Sequence, residues 1–303
     1  MIKPAEFIHP EDAAAIRQLE NIPGFVALSR KALKLGYEKY KYGVNMASLI
    51  RLSPTQLPEL YNRLPPICDV LGIAEPEFYL EMNVKPNAAT SGIKRTYIRI
   101  TSGAFEYMDD DVIDALLAHE CGHLICQHNL YRVLVEYTKD FAEVLGLFSK
   151  PMLYALMYWY RKSELSSDRC ASLVTSPETV ARMISHFSGG PKSIIDDLNM
   201  QEWIAQANEY DKLHNQGLWS KNLQRALVMK RTHPFNSTRV AEILKWGETE
   251  QYKNLKSKMK SRSSMKICNS CNKQIIADWN YCKYCGSKQY KKDNYKKTLS
   301  YIK

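Results

Sequence analysis

The sequence predicts a mainly α-helical domain with a small β-sheet, an α+β fold, followed by a short cysteine-bearing module. Three observations predict it. Apolar residues recur at helical spacing over long stretches, while strand-like alternation is confined to Glu77–Met82 and Thr96–Thr101. The composition, 45% hydrophobic and 24% charged over 303 residues, is that of a globular protein large enough for one sizeable domain and an accessory unit. Two C-x-x-C pairs fall in a terminal stretch whose charge differs from the rest. From Gln251 to Lys303 there are 14 basic and 2 acidic residues, against 28 and 30 before it. These shifts divide the chain into an N-terminal helical extension (1–50), a main domain (51–250), a basic flexible linker (251–266), a cysteine module (267–287) and a basic tail (288–303).

Taken in order, Ala13–Glu20 and Gly24–Lys34 read as short helices, and Gly36–Gly43 as a basic, tyrosine-bearing turn region. Ser53-Pro54 offers an N-cap with proline at the first helical position, so a helix is expected to about Leu71, disturbed at Pro65-Pro66. Glu77–Met82 alternates as a strand; Lys85–Gly92 is a turn-rich loop; Thr96–Thr101 is a second strand. That second strand is either a routine paired strand or one whose free edge takes an extended peptide through its main chain. A long helix follows from Asp110 to Tyr131 or beyond. Residues 175 to 230 read as amphipathic helices with a loop at Ser188–Pro191, and a further helix runs through Ile243 and Leu244.

Inside the long helix stands His119-Glu120-Cys121-Gly122-His123, an H-E-x-x-H pattern. At about 100° per residue the two histidines lie roughly 40° apart on one face, so their imidazoles can converge on one Zn²⁺ at about 2.0–2.1 Å. Glu120 sits one residue further round, where it can act as general base toward a water activated by the metal. His128, nine residues after His119, is half a turn out of phase and reads as structural.

On the next helix Glu164 and Asp168 are four apart and share a face. Glu164 completes a His₂Glu set and Asp168 suits the outer nitrogen of a ligand imidazole. Near the end of the domain, His233-Pro234 and Arg239 read as structural when taken alone. The chemical alternative is that His233 donates to a developing oxyanion and Arg239 braces the glutamate–aspartate pair.

In the terminal module, Cys268, Cys271, Cys282 and Cys285 have the layout of a short zinc ribbon, a closed four-thiolate site whose zinc is structural. Cysteines paired for metal, with no disulfide framework, point to a reducing compartment. No stretch has 18 uninterrupted apolar residues. Phe141–Tyr160, broken by Glu143, Lys150 and Pro151, reads as a buried helix ahead of an interfacial one. A cytoplasmic protein, with membrane contact at most peripheral, is expected. The basic tail suits a recruiting protein, nucleic acid or an anionic membrane.

Together, His119–His123, Glu164–Asp168, His233-Pro234 with Arg239, and an N-A-x-x-x-G segment from Asn87 to Gly92 resemble peptidase family M48, the zinc metallopeptidases that include the HtpX-like bacterial proteases and the integral-membrane prenyl proteases. The resemblance covers about residues 50 to 247. It implies a zincin-type fold and endopeptidase activity on unfolded or extended segments. His119, His123 and Glu164 would hold zinc, Glu120 would be the base, His233 or Arg239 would assist at the oxyanion or substrate, and Asn87 and Ala88 would meet the substrate. The implied cofactors are one catalytic and one structural zinc. The clear spanning helices of the HtpX-like members are missing. A reading of another class is a nucleic-acid- or protein-binding module whose peptidase fold is inactive or incidental.

Overall fold

Two apolar surfaces, one on a sheet and one on a central helix, set the architecture. The computed structural model describes residues 2–34, 36–140, 148–214, 234–262, 265–276, 281–282 and 284–289. Four strands, β1 (Ile50–Arg51), β2 (Glu77–Glu81), β3 (Ala88–Ser91) and β4 (Tyr97–Thr101), form a sheet in the order β1-β2-β4-β3. β2 pairs in parallel with β4, with Phe78 opposite Ile98 and Leu80 opposite Ile100; β3 runs antiparallel to β4. Phe78, Ile98 and Ile100 are fully buried and share one core with the helices.

The helices are α1 (Pro10–Glu20), α2 (Phe25–Leu33), α3 (Tyr37–Ser48), α4 (Pro58–Tyr61), α5 (Leu64–Leu71), α6 (Ser102–Tyr107), α7 (Asp110–Ile125), α8 (Asn129–Asp140), α9 (Lys150–Val174), α10 (Pro177–Gly189), α11 (Lys192–Ile195), α12 (Met200–His214), α13 (Asn236–Glu248) and α14 (Glu250–Arg262). The fold is thus mainly α with a small sheet. One core gathers α5, α7, the C-terminal half of α9, α10 and α13. A second, aromatic core joins α1–α3 to α8 and the N-terminal half of α9 around Trp159.

Several elements differ from the sequence-based expectation. Gly36–Gly43 is helix, since Tyr37 is buried and Glu38 Oε1 accepts from the amides of Ile93, Lys94 and Arg95, tying α3 to the β3–β4 turn. Ser53 caps a turn, accepting from Thr55 and Gln56 amides, and Pro65-Pro66 lie in the first turn of α5, where proline costs no hydrogen bond. Residues 251–266, expected as a flexible linker, are mostly α14. Lys256 Nζ donates to the carbonyls of Ser172, Leu173 and Thr175, satisfying the last turn of α9.

Of the two readings of the second strand, the routine paired one holds. β4 is paired on both sides, and the outermost strand is β3, formed by part of the stretch expected as loop. Asn87 C=O accepts from Thr101 N–H at 2.9 Å. Because bonded pairs alternate, Ala89 and Ser91 face β4 while Ala88 and Thr90 turn their main-chain groups to the open edge.

α7 begins at Asp109, whose side chain accepts from Val112 N–H at 3.2 Å and meets Arg182 at 2.5 Å. Burial pushes the Asp109 carboxyl up, but Arg182 and the Val112 amide outweigh it and hold the group below the ordinary value of 3.8. A depressed folded pKa gives stability that is present above the ordinary value and lost as pH falls through the folded one. Asp109→Ala is expected to cost about 1 kcal/mol at neutral pH. The gap in Tm to the native chain should close as pH falls below 3.8; a gap that stays constant between pH 7 and pH 3 would rule out an ionised cap.

α7 ends at Ile125, short of the expected Tyr131. Gln127 takes a left-handed φ of 58°. Gln127 N–H bonds Leu124 C=O and His128 N–H bonds His123 C=O, the paired bonds of a Schellman cap. Glycine is the usual residue at this position, so a glutamine there carries backbone strain of about 1–2 kcal/mol. The turn swings His128 back toward the helix it has just left.

Candidate metal centre

α7 and α9 touch through Gly122. A Cβ there would lie 2.9 Å from Cys170 Cβ and 3.0 Å from Ser167 Cα. This close approach brings Glu164 and Asp168 against His119 and His123. The Glu164 carboxylate lies 3.4 Å from His119 Nε2 through Oε2 and 3.4 Å from His123 Nε2 through Oε1. Donors held about 2.0–2.2 Å from one tetrahedral ion stand about 3.4 Å apart. Glu120 offers an oxygen within 4.8 Å of both ring nitrogens. All four side chains are buried.

Outer contacts fix the rings. Asp168 Oδ1 lies 2.9 Å from His119 Nδ1. Arg239, on α13, grips Asp168 with both edges of its fork, Nε to Oδ2 at 2.9 Å and Nη2 to Oδ1 at 2.7 Å. Burial alone would raise the Asp168 carboxyl, but the Arg239 guanidinium holds it below the usual carboxylate range. Arg132, on α8, stacks on the Tyr160 ring and donates to Glu164 Oε1 at 2.8 Å, with its Nη1 3.1 Å from His123 Nε2.

The buried charges favour a cation. Counting carboxylates and guanidiniums alone, three (Glu120, Glu164, Asp168) face two (Arg132, Arg239), an excess of one negative charge that draws positive charge onto the site. Burial pulls His119 down, yet Asp168 and Glu164 outweigh it and carry it up to about 9. Burial and Arg132 push His123 well below its ordinary value. The donor set and its spacing therefore fit a zinc ion held by His119, His123 and Glu164. Arg132 shares Glu164 with such an ion.

Of the other residues singled out from sequence, Arg239 spends its fork on Asp168, which favours the bracing role over one at an oxyanion. His233 lies outside the described residues. Ala88 is the first residue of the open strand β3, which packs beside α7, and Asn87 immediately precedes it. His128 is buried against the centre, its Nδ1 3.0 Å from His123 Nδ1. The helical phase argument failed because the helix stops before it. Arg132 and the buried Asp12 were missed altogether, since neither carries a local signal.

The four terminal cysteines converge as well. Cys268 and Cys285 sulfurs are 3.7 Å apart and those of Cys271 and Cys282 3.5 Å, close to the roughly 3.8 Å expected around one zinc with bonds of about 2.3 Å. Each C-x-x-C is followed by a left-handed residue, Asn272 at φ 56° and Gly286 at φ 70°. In each loop an amide points at a sulfur: Ser270 N–H at Cys268 and Tyr284 N–H at Cys282, both at 3.4 Å. Burial opposes ionisation of Cys268, but Ser287 and the amides bring it down to about 5, while burial and neighbouring thiols push Cys282 up to about 12. Four thiols this close ionise together only around a cation. β5 (Met265–Ile267) and β6 (Gln274–Ile276) pair beneath them. The unit docks on the main domain through Val70 of α5 and through Gly286, against Asn62.

Residues 55–247 match the family model described as Peptidase family M48. Over 268 residues the chain is 29% identical to the plastoglobule-localized metallopeptidase 48, chloroplastic, of Arabidopsis thaliana, covering 86% of this chain and 77% of that protein. Over 144 residues it is 28% identical to a protease HtpX homolog of Tropheryma whipplei, covering 45% of this chain and 48% of that protein. The chain thus matches about half the length of the latter. Among the described residues no helix is long and apolar enough to cross a membrane.

Proposed function

The chain belongs to peptidase family M48, and on that premise we propose that it is a zinc-dependent endopeptidase hydrolysing unfolded or extended protein segments. Membership itself makes it a metallopeptidase acting on protein or peptide. The observation that carries the finer reading is the Glu164 carboxylate, 3.4 Å from both imidazoles, with Glu120 beside them.

His119, His123 and Glu164 would hold the zinc. When bound, zinc lowers the pKa of water from about 15.7 to about 7, so a nucleophile exists at neutral pH. Glu120 would serve as the general base, taking a proton from the attacking water and passing it to the leaving amine. Asp168, kept ionised by Arg239, fixes the His119 tautomer with Nε2 free. His233 is proposed as the donor to the oxyanion. The substrate pairs as an added strand with the outward main-chain groups of Ala88 and Thr90, a mode that tolerates many sequences. Cys268, Cys271, Cys282 and Cys285 would hold the second, structural zinc, and the basic C-terminal tail (288–303) recruits a protein, nucleic acid or anionic surface.

The test is digestion of casein by the full chain. A chelator should abolish it and Zn²⁺ restore it. Digestion indifferent to the chelator would overturn the reading, and retention on nucleic acid that collapses steeply with salt, with no digestion at all, would favour a binding module.

A further inference from the structure

Asp12 is the second acidic residue of α1, in the N-terminal segment that precedes the region matched by the family model. An acid in the first turn of a helix is ordinarily a solvated partner of the helix dipole. This one is fully buried, at 0% exposure. Its Oδ2 lies 3.0 Å from His128 Nε2 and accepts from Ser166 Oγ at 2.5 Å. His128 in turn places Nδ1 3.0 Å from His123 Nδ1. The line ends at His123 Nε2, the nitrogen that faces Glu164.

Proton counting gives this line a direction. A ligand imidazole uses Nε2 as a lone pair, so His123 carries its hydrogen on Nδ1 and donates it to His128 Nδ1. His128, accepting there, carries its own hydrogen on Nε2, the nitrogen that stands 3.0 Å from Asp12 Oδ2. Ser166 donates to the same carboxylate. Each ring needs one hydrogen, and the carboxylate at the end accepts from Ser166 and supplies the negative charge beside the His128 ring. His119 is served by Asp168 directly, and His123 by Asp12 through one intervening imidazole. The strained cap at Gln127 is what brings that imidazole into line.

We propose that Asp12, acting through His128, is a positioning residue for the metal ligand His123, so that α1 is a working part of the metal centre. The inference rests on His123 being a ligand, as proposed above. Removing such an outer partner typically weakens metal binding 10–100-fold.

The experiment is zinc affinity of the full chain by competition with a chromophoric chelator, with His119→Ala reporting the terminal cysteine site alone. Asp12→Asn is expected to weaken the histidine site at least tenfold. His128→Gln should do the same, and the double variant should be no worse than either single one, because both break one line. Cobalt loaded in place of zinc should show altered d–d absorption in each. Should Asp12→Asn fail to fold, His128→Gln alone decides. Affinities within twofold of the native chain, or losses that simply add in the double variant, would overturn the proposal even if Tm falls. A native chain indistinguishable from His119→Ala would instead sink the reading of the centre itself.

Discussion

Replacing Glu120 with Gln is expected to cut kcat on an unfolded protein by about 10²–10⁴-fold while zinc stays bound. The amide has nearly the shape of the carboxylate but cannot accept and return a proton. Glu120 is buried with an oxygen within 4.8 Å of both imidazoles, near enough to serve as the base of the proposed centre. Steady-state digestion together with metal analysis separates the outcomes. Native turnover would remove Glu120 from the proton path. Loss of zinc together with turnover would make it a ligand, leaving Glu164 a purely electrostatic role.

Glu164→Ala should do more damage, because it strikes both the ion and the fold. Arg132 is buried and makes its close ion pair with this carboxylate at 2.8 Å. Stranding a buried cation costs about 3–5 kcal/mol. At roughly 2–4 °C per kcal/mol, Tm should fall by about 6 °C or more even before metal loss is counted. Glu164→Ala with the additional change Arg132→Met should regain part of the stability but none of the zinc. A single variant that kept both native Tm and native zinc would dismantle the centre as described.

Sequence periodicity made the centre of this arrangement readable because its signals are local. Two histidines four apart must share a helix face, and so must Glu164 and Asp168. What escaped depends on contacts distant in the chain or on unusual backbone. Asn-Ala-Ala-Thr-Ser-Gly has the composition of a loop, and only pairing with β4 makes it the open strand. Lys256 looked like one charge in a basic run until the carbonyls of Ser172, Leu173 and Thr175 gave it a task. The phase of His128 was computed on a helix that had already ended, at a left-handed residue that is not the glycine a reader would look for. Asp12 lies more than a hundred positions from the imidazoles it serves, in a segment whose sequence announces only a helix start.

The centre draws on residues 12, 119, 123, 128, 132, 164, 168 and 239. A ribosome delivers these in that order, so the bracing guanidinium of Arg239 arrives last, after most of the chain has been made. A partly synthesised copy has its histidines exposed early yet lacks the group that keeps Asp168 charged. On the proposed reading, hydrolysis by the centre has to await the arrival of Arg239, the residue that grips Asp168.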